Sequence, residues 1–121
     1  MSRQTPVWVQ KMITDVCSEW GVDEPREFIW RVSKVNVSSS GRCWTFRKRI
    51  VVTAGRDPKD RRLTVLHELA HHICGEGHAH DAAFWAVAVE LYRRYGLIRY
   101  AFRREPKSFK RAYAKSRRSM S

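Results

Sequence analysis

The sequence predicts a small α+β protein with an N-terminal helix, a small antiparallel sheet, a helix that carries a histidine-rich motif, and a second buried helix after it. Apolar residues recur at three- and four-residue steps in the segments expected to be helical, whereas β-branched and aromatic residues cluster between them. With 121 residues, of which 43% are hydrophobic, the chain can build one modest core. We therefore expect one domain over residues 1–98, followed by a basic C-terminal tail over residues 99–121.

The N-terminal helix is expected over residues 5–20, because Thr5-Pro6 opens an apolar stripe and Gly21 is placed to end it. Strands are expected at 28–32, 35–37, 43–46 and 50–53, with a turn at 38–41. The large apolar side chains of Trp20, Trp30, Trp44 and Trp85 are expected in the core.

The motif-bearing helix is expected over residues 58–74, since Asp57 is a good N-cap residue, Pro58 suits the first helical position and Gly75 ends the apolar pattern. A second apolar helix is expected over 81–95. Beyond Gly96, residues 97–102 are expected to form a short extended piece and residues 107–115 a basic helix.

The run HELAHH contains His67, Glu68 and His71 in the HExxH spacing. On a helix, residues four apart share a face, so the two imidazoles can bind one Zn²⁺ while Glu68 lies beside its open position. This arrangement is typical of zinc hydrolases. The spacing alone leaves His78, His80 and Glu90 open as the third ligand.

The three cysteines do not indicate a disulfide framework or a separate zinc knuckle, because Cys17, Cys43 and Cys74 are an odd number without a CxxC pair. Cys74 is a minor candidate for the metal. No run of residues is long and apolar enough for a membrane span, and no secretory signal is recognisable at the N-terminus. We therefore expect a cytoplasmic protein without a membrane partner.

The formal net charge of +12 is concentrated after the first 27 residues. Basic side chains of the C-terminal tail are interleaved with Tyr100, Phe102, Phe109 and Tyr113, and the one acid between Arg99 and Arg118 is Glu105. Cations neutralise phosphates and aromatic rings stack on bases, so DNA is the expected partner. The candidate nucleic-acid-binding residues are Arg103, Arg104, Lys107, Lys110, Arg111, Lys115, Arg117 and Arg118.

The run from Leu63 to His71, followed by His80-Asp81-Ala82-Ala83-Phe84-Trp85, resembles the core of SprT-like and WLM-type zinc metalloprotease domains. The resemblance is closest to small uncharacterised metallohydrolases of actinobacteria and their phages. It implies a minimal zincin-like fold, a site in which His67, His71 and His80 bind Zn²⁺, and Glu68 as the catalytic carboxylate. Characterised members of these groups cut proteins crosslinked to DNA, which implies DNA-associated proteins as substrates.

The resulting functional hypothesis is peptide-bond hydrolysis. Three neutral imidazoles leave Zn²⁺ its positive charge and lower the pKa of a bound water toward about 7, so that Glu68 can accept the proton of the attacking water. A further donor to the developing oxyanion or to substrate is expected among His78, Tyr92 and Tyr95. The alternatives are a non-catalytic, zinc-stabilised nucleic-acid-binding module and a regulatory peptidase with a single protein substrate.

Overall fold

A computed structural model describes residues 5–35 and 37–120 of the chain, except the side chains of residues 119 and 120. It confirms the α+β class. The order of elements is α1 (Val7–Trp20), β1 (Glu27–Val32), β2 (Ser40–Trp44), β3 (Arg49–Ala54), α2 (Pro58–Cys74), α3 (Ala82–Arg94), α4 (Ile98–Arg104) and α5 (Lys107–Met120).

The sheet has the strand order β1-β3-β2 and is mixed, so the expectation of a purely antiparallel sheet was wrong. β1 is parallel to β3, and β2 is antiparallel to β3. The parallel pairing of β1 with β3 follows from the path of the chain between β1 and β2. A strand was expected in this segment, at residues 35–37. Val35 and Val37 lie outside the strands, and Asn36 lies outside the described residues. Instead, this segment crosses the end of β3, since Ser33 N–H donates to Ala54 O and Gly55 N–H donates to Ser39 Oγ.

Local capping groups fix the helices where the sequence predicts them. The Asp57 carboxylate accepts hydrogen bonds from the backbone N–H groups of Lys59 and Asp60, at 2.8 and 3.3 Å, and Pro58 occupies the first position of α2. α3 begins in the same way, with Asp81 accepting from Phe84 N–H at 2.9 Å. α1 ends at Gly21, whose left-handed backbone (φ 66°) suits a residue without a side chain.

The core lies between α1, α2, α3 and the inner face of the sheet, and it contains Trp30 and Trp85 as expected. Trp20 is partly buried against this core. The expectation for Trp44 was wrong. Its ring lies on the outer face of the sheet, between the guanidinium groups of Arg42 and Arg49, because the alternation of β2 turns Cys43 toward Glu68 and Trp44 away from it.

Residues 97–102, expected to be extended, form helix α4 instead. Leu97 and Ala101 are both buried whereas Arg99 is exposed, which fits a helix, since a strand would turn all three side chains to the same face. The predicted basic helix is longer than expected, over Lys107–Met120, and its Phe109 is fully buried in the common core.

The division of the chain at residue 98 stays a prediction. Among the described residues, no helix has the length and apolarity of a membrane span.

A buried carboxylate, Asp60, joins the first turn of α2 to two distant segments. It accepts hydrogen bonds from Ser39 N–H, from Tyr100 Oη at 3.0 Å and from Arg104 Nε at 2.6 Å. Arg104 also donates to Ser39 O at 3.2 Å. Burial alone would raise the pKa of Asp60, but the hydrogen bonds from Ser39, Arg104 and Tyr100 outweigh it and hold this pKa below its ordinary value.

We predict that Asp60→Asn lowers the free energy of unfolding by about 2–3 kcal/mol at neutral pH, because charged hydrogen bonds to a buried acceptor are lost. Urea unfolding of the metal-free protein measures this. Because the folded pKa of Asp60 is depressed, its contribution is present above pH about 4 and is lost as the pH falls through the folded pKa. The difference between wild type and variant should therefore shrink in acid.

The matched control is Asp15→Asn, which removes an exposed carboxylate paired with Lys11 and should cost less than about 0.5 kcal/mol. Equal effects of the two substitutions at neutral pH would contradict the structural role given to Asp60.

Candidate metal centre

Helix α2 carries the three side chains of the HExxH motif on neighbouring turns. His67 and His71 lie four residues apart, and their ring centroids are 5.1 Å apart. Glu68 lies on the side of α2 that faces β2, where it is almost fully buried at 5% exposure. The local cause is the apolar stripe of α2, which buries Leu66 and Leu69 and leaves the two imidazoles at the edge of the core.

A third imidazole reaches the pair from the loop between α2 and α3. Nε2 of His80 lies 3.0 Å from Nε2 of His67 and 3.2 Å from Nε2 of His71. The loop turns at Gly75 and Gly77, both with positive φ, and this reversal brings His80 back over α2. Within the described ranges, His67, His71 and His80 form the cluster whose ligand atoms converge closely enough for a metal ion.

The cluster fits a metal ion. A Zn–N distance of about 2.0–2.1 Å in a tetrahedral site implies nitrogens about 3.3 Å apart, close to the separations seen here. Three imidazole nitrogens that face one another at this distance cannot all be satisfied by their mutual contacts, whereas one cation satisfies all three lone pairs.

The protonation states agree with this interpretation. Burial, reinforced by the neighbouring His67 and His80, lowers the pKa of His71 to about 4, although a hydrogen bond with the backbone of His78 acts in the opposite direction. Burial and His67 also lower the pKa of His80. Both rings are therefore neutral at pH 7, which is the state that binds metals.

Two aromatic side chains of α3 back the cluster. Phe84 stacks on His71 with centroids 4.1 Å apart, and Trp85 stacks on His80 with centroids 5.5 Å apart. Both aromatic residues are buried. They restrict the rotation of the imidazoles and keep water from that side of the site, which favours binding of a cation by the ring nitrogens.

A carboxylate from the C-terminal region fixes the orientation of His67. Oε2 of Glu105 lies 2.8 Å from Nδ1 of His67 and accepts a hydrogen bond from Tyr92 Oη at 2.7 Å. His67 therefore donates through Nδ1–H, and the lone pair of its Nε2 points at the other two histidines. Burial would raise the pKa of Glu105, but the contacts with His67 and Tyr92 hold it below the ordinary value. Glu105 was not among the predicted site residues.

Glu68 lies at one side of a cleft of about 200 Å³ that is also bordered by Ser40, Gly41, His67 and Glu105. A Cβ atom at Gly41 would lie 2.7 Å from Cγ of Glu68, so glycine at this position of β2 leaves room for the carboxylate. Burial, and to a smaller extent the nearby Glu105, raises the pKa of Glu68 to about 7, against the opposing effect of His67.

The alternatives for the third ligand lie elsewhere. His78 pairs with Asp81 at 2.9 Å, and Glu90 pairs with Arg93 at 2.9 Å. His72 points away from the cluster, as expected, with Nε2 2.7 Å from Asp23 O. The thiol of Cys74 lies 3.5 Å from Ala83 O and is outside the cluster.

Two tyrosines expected near substrate are not at the cleft. Tyr92 is fully buried, and its hydroxyl group lies 3.2 Å from Nδ1 of His67, behind the imidazole. Burial and Glu105 raise the pKa of Tyr92 well above its ordinary value, so the hydroxyl stays protonated. The charges that act on Tyr95 belong to Asp15, Lys11 and Arg94, which places it toward α1.

The predicted nucleic-acid-binding residues divide into two groups. Arg104 is engaged in hydrogen bonds with Asp60 and Ser39, and it borders the cleft. The other cations are exposed on α4 and α5: Arg103, Lys107, Lys110, Arg111, Lys115, Arg117 and Arg118.

The aromatic residues between these cations are engaged inside the protein, which corrects the expectation that they stack on bases. Phe109 is fully buried, and Tyr100 donates a hydrogen bond to Asp60. Phe102 and Tyr113 pack against the core, with ring centroids 5.3 Å apart.

Comparison with known protein families adds one finding. The family described as Peptidase_M78, IrrE N-terminal-like domain, matches residues 30–95, which is more than half of the 121 residues. The chain belongs to this family. The match extends from the end of β1 to α3 and hence includes the three histidines and Glu68. No curated protein and no solved structure matches the chain. Membership of Peptidase_M78 indicates a metallopeptidase-like protein, and the likeness to SprT-like and WLM-type domains stays a prediction.

We predict that Glu105→Gln weakens metal binding by about 10–100-fold, because the imidazole of His67 loses the carboxylate that fixes its orientation and raises its basicity. Titration of Zn²⁺ against a chromophoric chelator measures the affinity. The matched control is Glu90→Gln. Like Glu105, Glu90 accepts a side-chain hydrogen bond, in its case from Arg93, but it lies away from the cluster. A Glu105→Gln variant with wild-type affinity would show that this hydrogen bond does not support the site.

Proposed function

We propose that this Peptidase_M78 member is a zinc-dependent peptidase with Glu68 as its general base. The observation that carries the proposal is the buried carboxylate of Glu68 in an open cleft beside His67, one of three converging imidazoles. A site that only stabilised the fold would need the imidazoles but gain nothing from a carboxylate held out of water, because burying it costs free energy.

His67, His71 and His80 would hold the ion. When bound, Zn²⁺ supplies Lewis acidity: it polarises the substrate carbonyl and acidifies a water molecule. The Glu68 carboxylate accepts a proton from the attacking water and returns it to the leaving amine. Glu105 keeps the proton of His67 on Nδ1, and Phe84 excludes water behind the imidazoles.

The strand next to the cleft supports a peptide as the substrate. β2 pairs with β3 along one side, and among the described residues no strand pairs with its other side. Ser40 and Gly41 of β2 border the cleft beside Glu68. An extended peptide can form main-chain hydrogen bonds with such an edge, which would direct a peptide bond toward the site.

A basic surface on α5 supports delivery of this activity to DNA-associated proteins. Lys107, Arg111 and Arg118 lie on the side of α5 opposite Phe109, which anchors the helix in the core, and Lys110 flanks them. We propose that these cations contact the phosphate backbone of duplex DNA, which requires no base stacking. The free thiols of Cys17, Cys43 and Cys74 fit a reducing compartment, and we propose the cytoplasm.

We predict that Glu68→Gln retains about one Zn²⁺ per chain but lowers peptide hydrolysis by at least about 100-fold, the range expected when a general base is lost. Metal analysis and cleavage of casein and of DNA-bound protein, measured on both proteins, separate metal binding from catalysis. Equal cleavage by both proteins would refute the role of Glu68.

Zinc binding without cleavage by either protein would instead favour one of the two alternatives. These are a non-catalytic, zinc-stabilised nucleic-acid-binding module and a regulatory peptidase with a single protein substrate.

Gly41→Ala should also reduce hydrolysis with little effect on zinc affinity, because the three atoms nearest to the added methyl group all belong to Glu68. We expect a loss of about 10-fold or more, the effect of a small displacement of a catalytic group. Ser40→Ala is the matched control, since it changes the adjacent cleft residue without adding atoms. Loss of zinc from Gly41→Ala would contradict the local effect on Glu68.

A further inference from the structure

The sheet has one face that the helices do not bury. Its inner face carries Trp30, Ile50 and Val52, each at most 4% exposed. On the outer face, Ile29, Val51 and Trp44 are only half-buried. This outer face and the β2–β3 hairpin at residues 44–49 together form the outer sheet surface.

Cations surround the aromatic ring at the centre of this surface. The guanidinium carbons of Arg42 and Arg49 lie 5.1 and 5.2 Å from the ring centroid of Trp44. Arg49 also pairs with Glu27 at 3.0 Å, whereas Arg42 and Arg31 are exposed on the two outer strands. The stacked guanidinium groups hold the indole ring in place and give its surroundings a positive potential.

The hairpin presents a second aromatic ring in a fixed position. Phe46 is 82% exposed, although a large apolar side chain at a turn gains nothing from contact with water. The turn itself is well defined: Lys48 N–H donates to Thr45 O at 3.2 Å, and Lys48 adopts a left-handed backbone with φ 53°. Lys48 O accepts from Arg26 N–H at 2.8 Å, which ties the hairpin to the start of β1.

Exposed rings among cations match the chemistry of unpaired nucleotides. Each base offers a flat apolar face for stacking, and each phosphate offers a charge for a guanidinium group. Duplex DNA hides its base faces, so Phe46 would remain unused on a duplex. We propose that the outer sheet surface binds single-stranded nucleic acid, with a base stacked on Phe46 and phosphates contacted by Arg31, Arg42 and the exposed Arg47 of the hairpin.

This surface is separate from the one proposed on α5. α5 packs on α3, α3 packs on α2, and the sheet lies on the other side of α2. The aromatic residues of α5 are engaged in packing, whereas Phe46 of the hairpin is exposed. The two surfaces therefore differ in ligand: α5 offers charge alone, and the outer sheet surface offers charge and stacking.

The decisive experiment measures binding of fluorescein-labelled oligo(dT) and oligo(U) by fluorescence anisotropy, using the zinc-loaded full chain. Phe46→Leu keeps an apolar side chain of similar size but removes the ring, and we expect it to weaken binding by about 10-fold. Phe46→Trp should bind at least as tightly as wild type. Val7→Ala is the matched control, because Val7 is a comparably exposed apolar residue at 85%, but it lies on α1.

Salt dependence tests the cations independently. Arg47→Ser should reduce the slope of log affinity against log salt by about 0.7, the value for one phosphate contact on a single strand. Arg111→Ser, on α5, should leave the slope for oligo(dT) unchanged. Thermal unfolding verifies that each variant is folded, and casein cleavage by the same samples reports separately on the peptidase proposal.

Three results would overturn the proposal. The first is wild-type affinity of Phe46→Leu for both oligonucleotides. The second is a loss of binding with Arg111→Ser that equals or exceeds the loss with Arg47→Ser, which would move the interaction to α5. The third is binding to vesicles of anionic phospholipid without binding to either oligonucleotide, which would identify a membrane surface as the partner of Phe46.

Discussion

The hydrogen bonds of one buried carboxylate hold the cleft together. Asp60 binds Ser39 at the entrance to β2 and Arg104 at the end of α4. The residues that follow each of these partners form the site: Gly41 leaves space for Glu68, and Glu105 orients His67. Three segments far apart in sequence therefore meet at the first turn of α2, and the geometry of the metal centre depends on their junction.

The two carboxylates in the cleft, Glu68 and Glu105, differ in pKa because their surroundings differ. Glu68 is buried, and burial raises its pKa to about 7 against the opposing effect of His67. Glu105 is also buried, but its contacts with His67 and Tyr92 lower its pKa, so it remains an acceptor that orients an imidazole. The carboxylate proposed as the catalytic proton acceptor and the carboxylate that orients His67 thus lie within one cleft.

Features encoded by neighbouring residues were predictable from the sequence. The bounds of α2 follow from the N-cap Asp57, the proline after it and Gly75, and the prediction of 58–74 is confirmed. The closeness of His67 and His71 follows from helical geometry alone. The position of His80 needed a resemblance to known families, because a loop of glycines does not determine where the chain returns.

Features that depend on distant pairing were not predictable. Parallel pairing of β1 with β3 results from a crossover that no local pattern marks. Glu105 lies 38 residues after His67. In the sequence, Glu105 stands out only as the single acid of a basic segment. A tail exposed to solvent can have the same composition, so this pattern does not predict a contact with His67. The outward orientation of Trp44 required the register of β2 against β3, since an aromatic residue in a strand fits either face.

The most direct test of the metal centre is X-ray absorption spectroscopy of the zinc-loaded protein at the zinc edge. We expect three imidazole nitrogens at about 2.0–2.1 Å and no sulfur ligand. A sulfur scatterer at about 2.3 Å, or fewer than three imidazoles, would contradict the assignment of His67, His71 and His80 as the metal ligands.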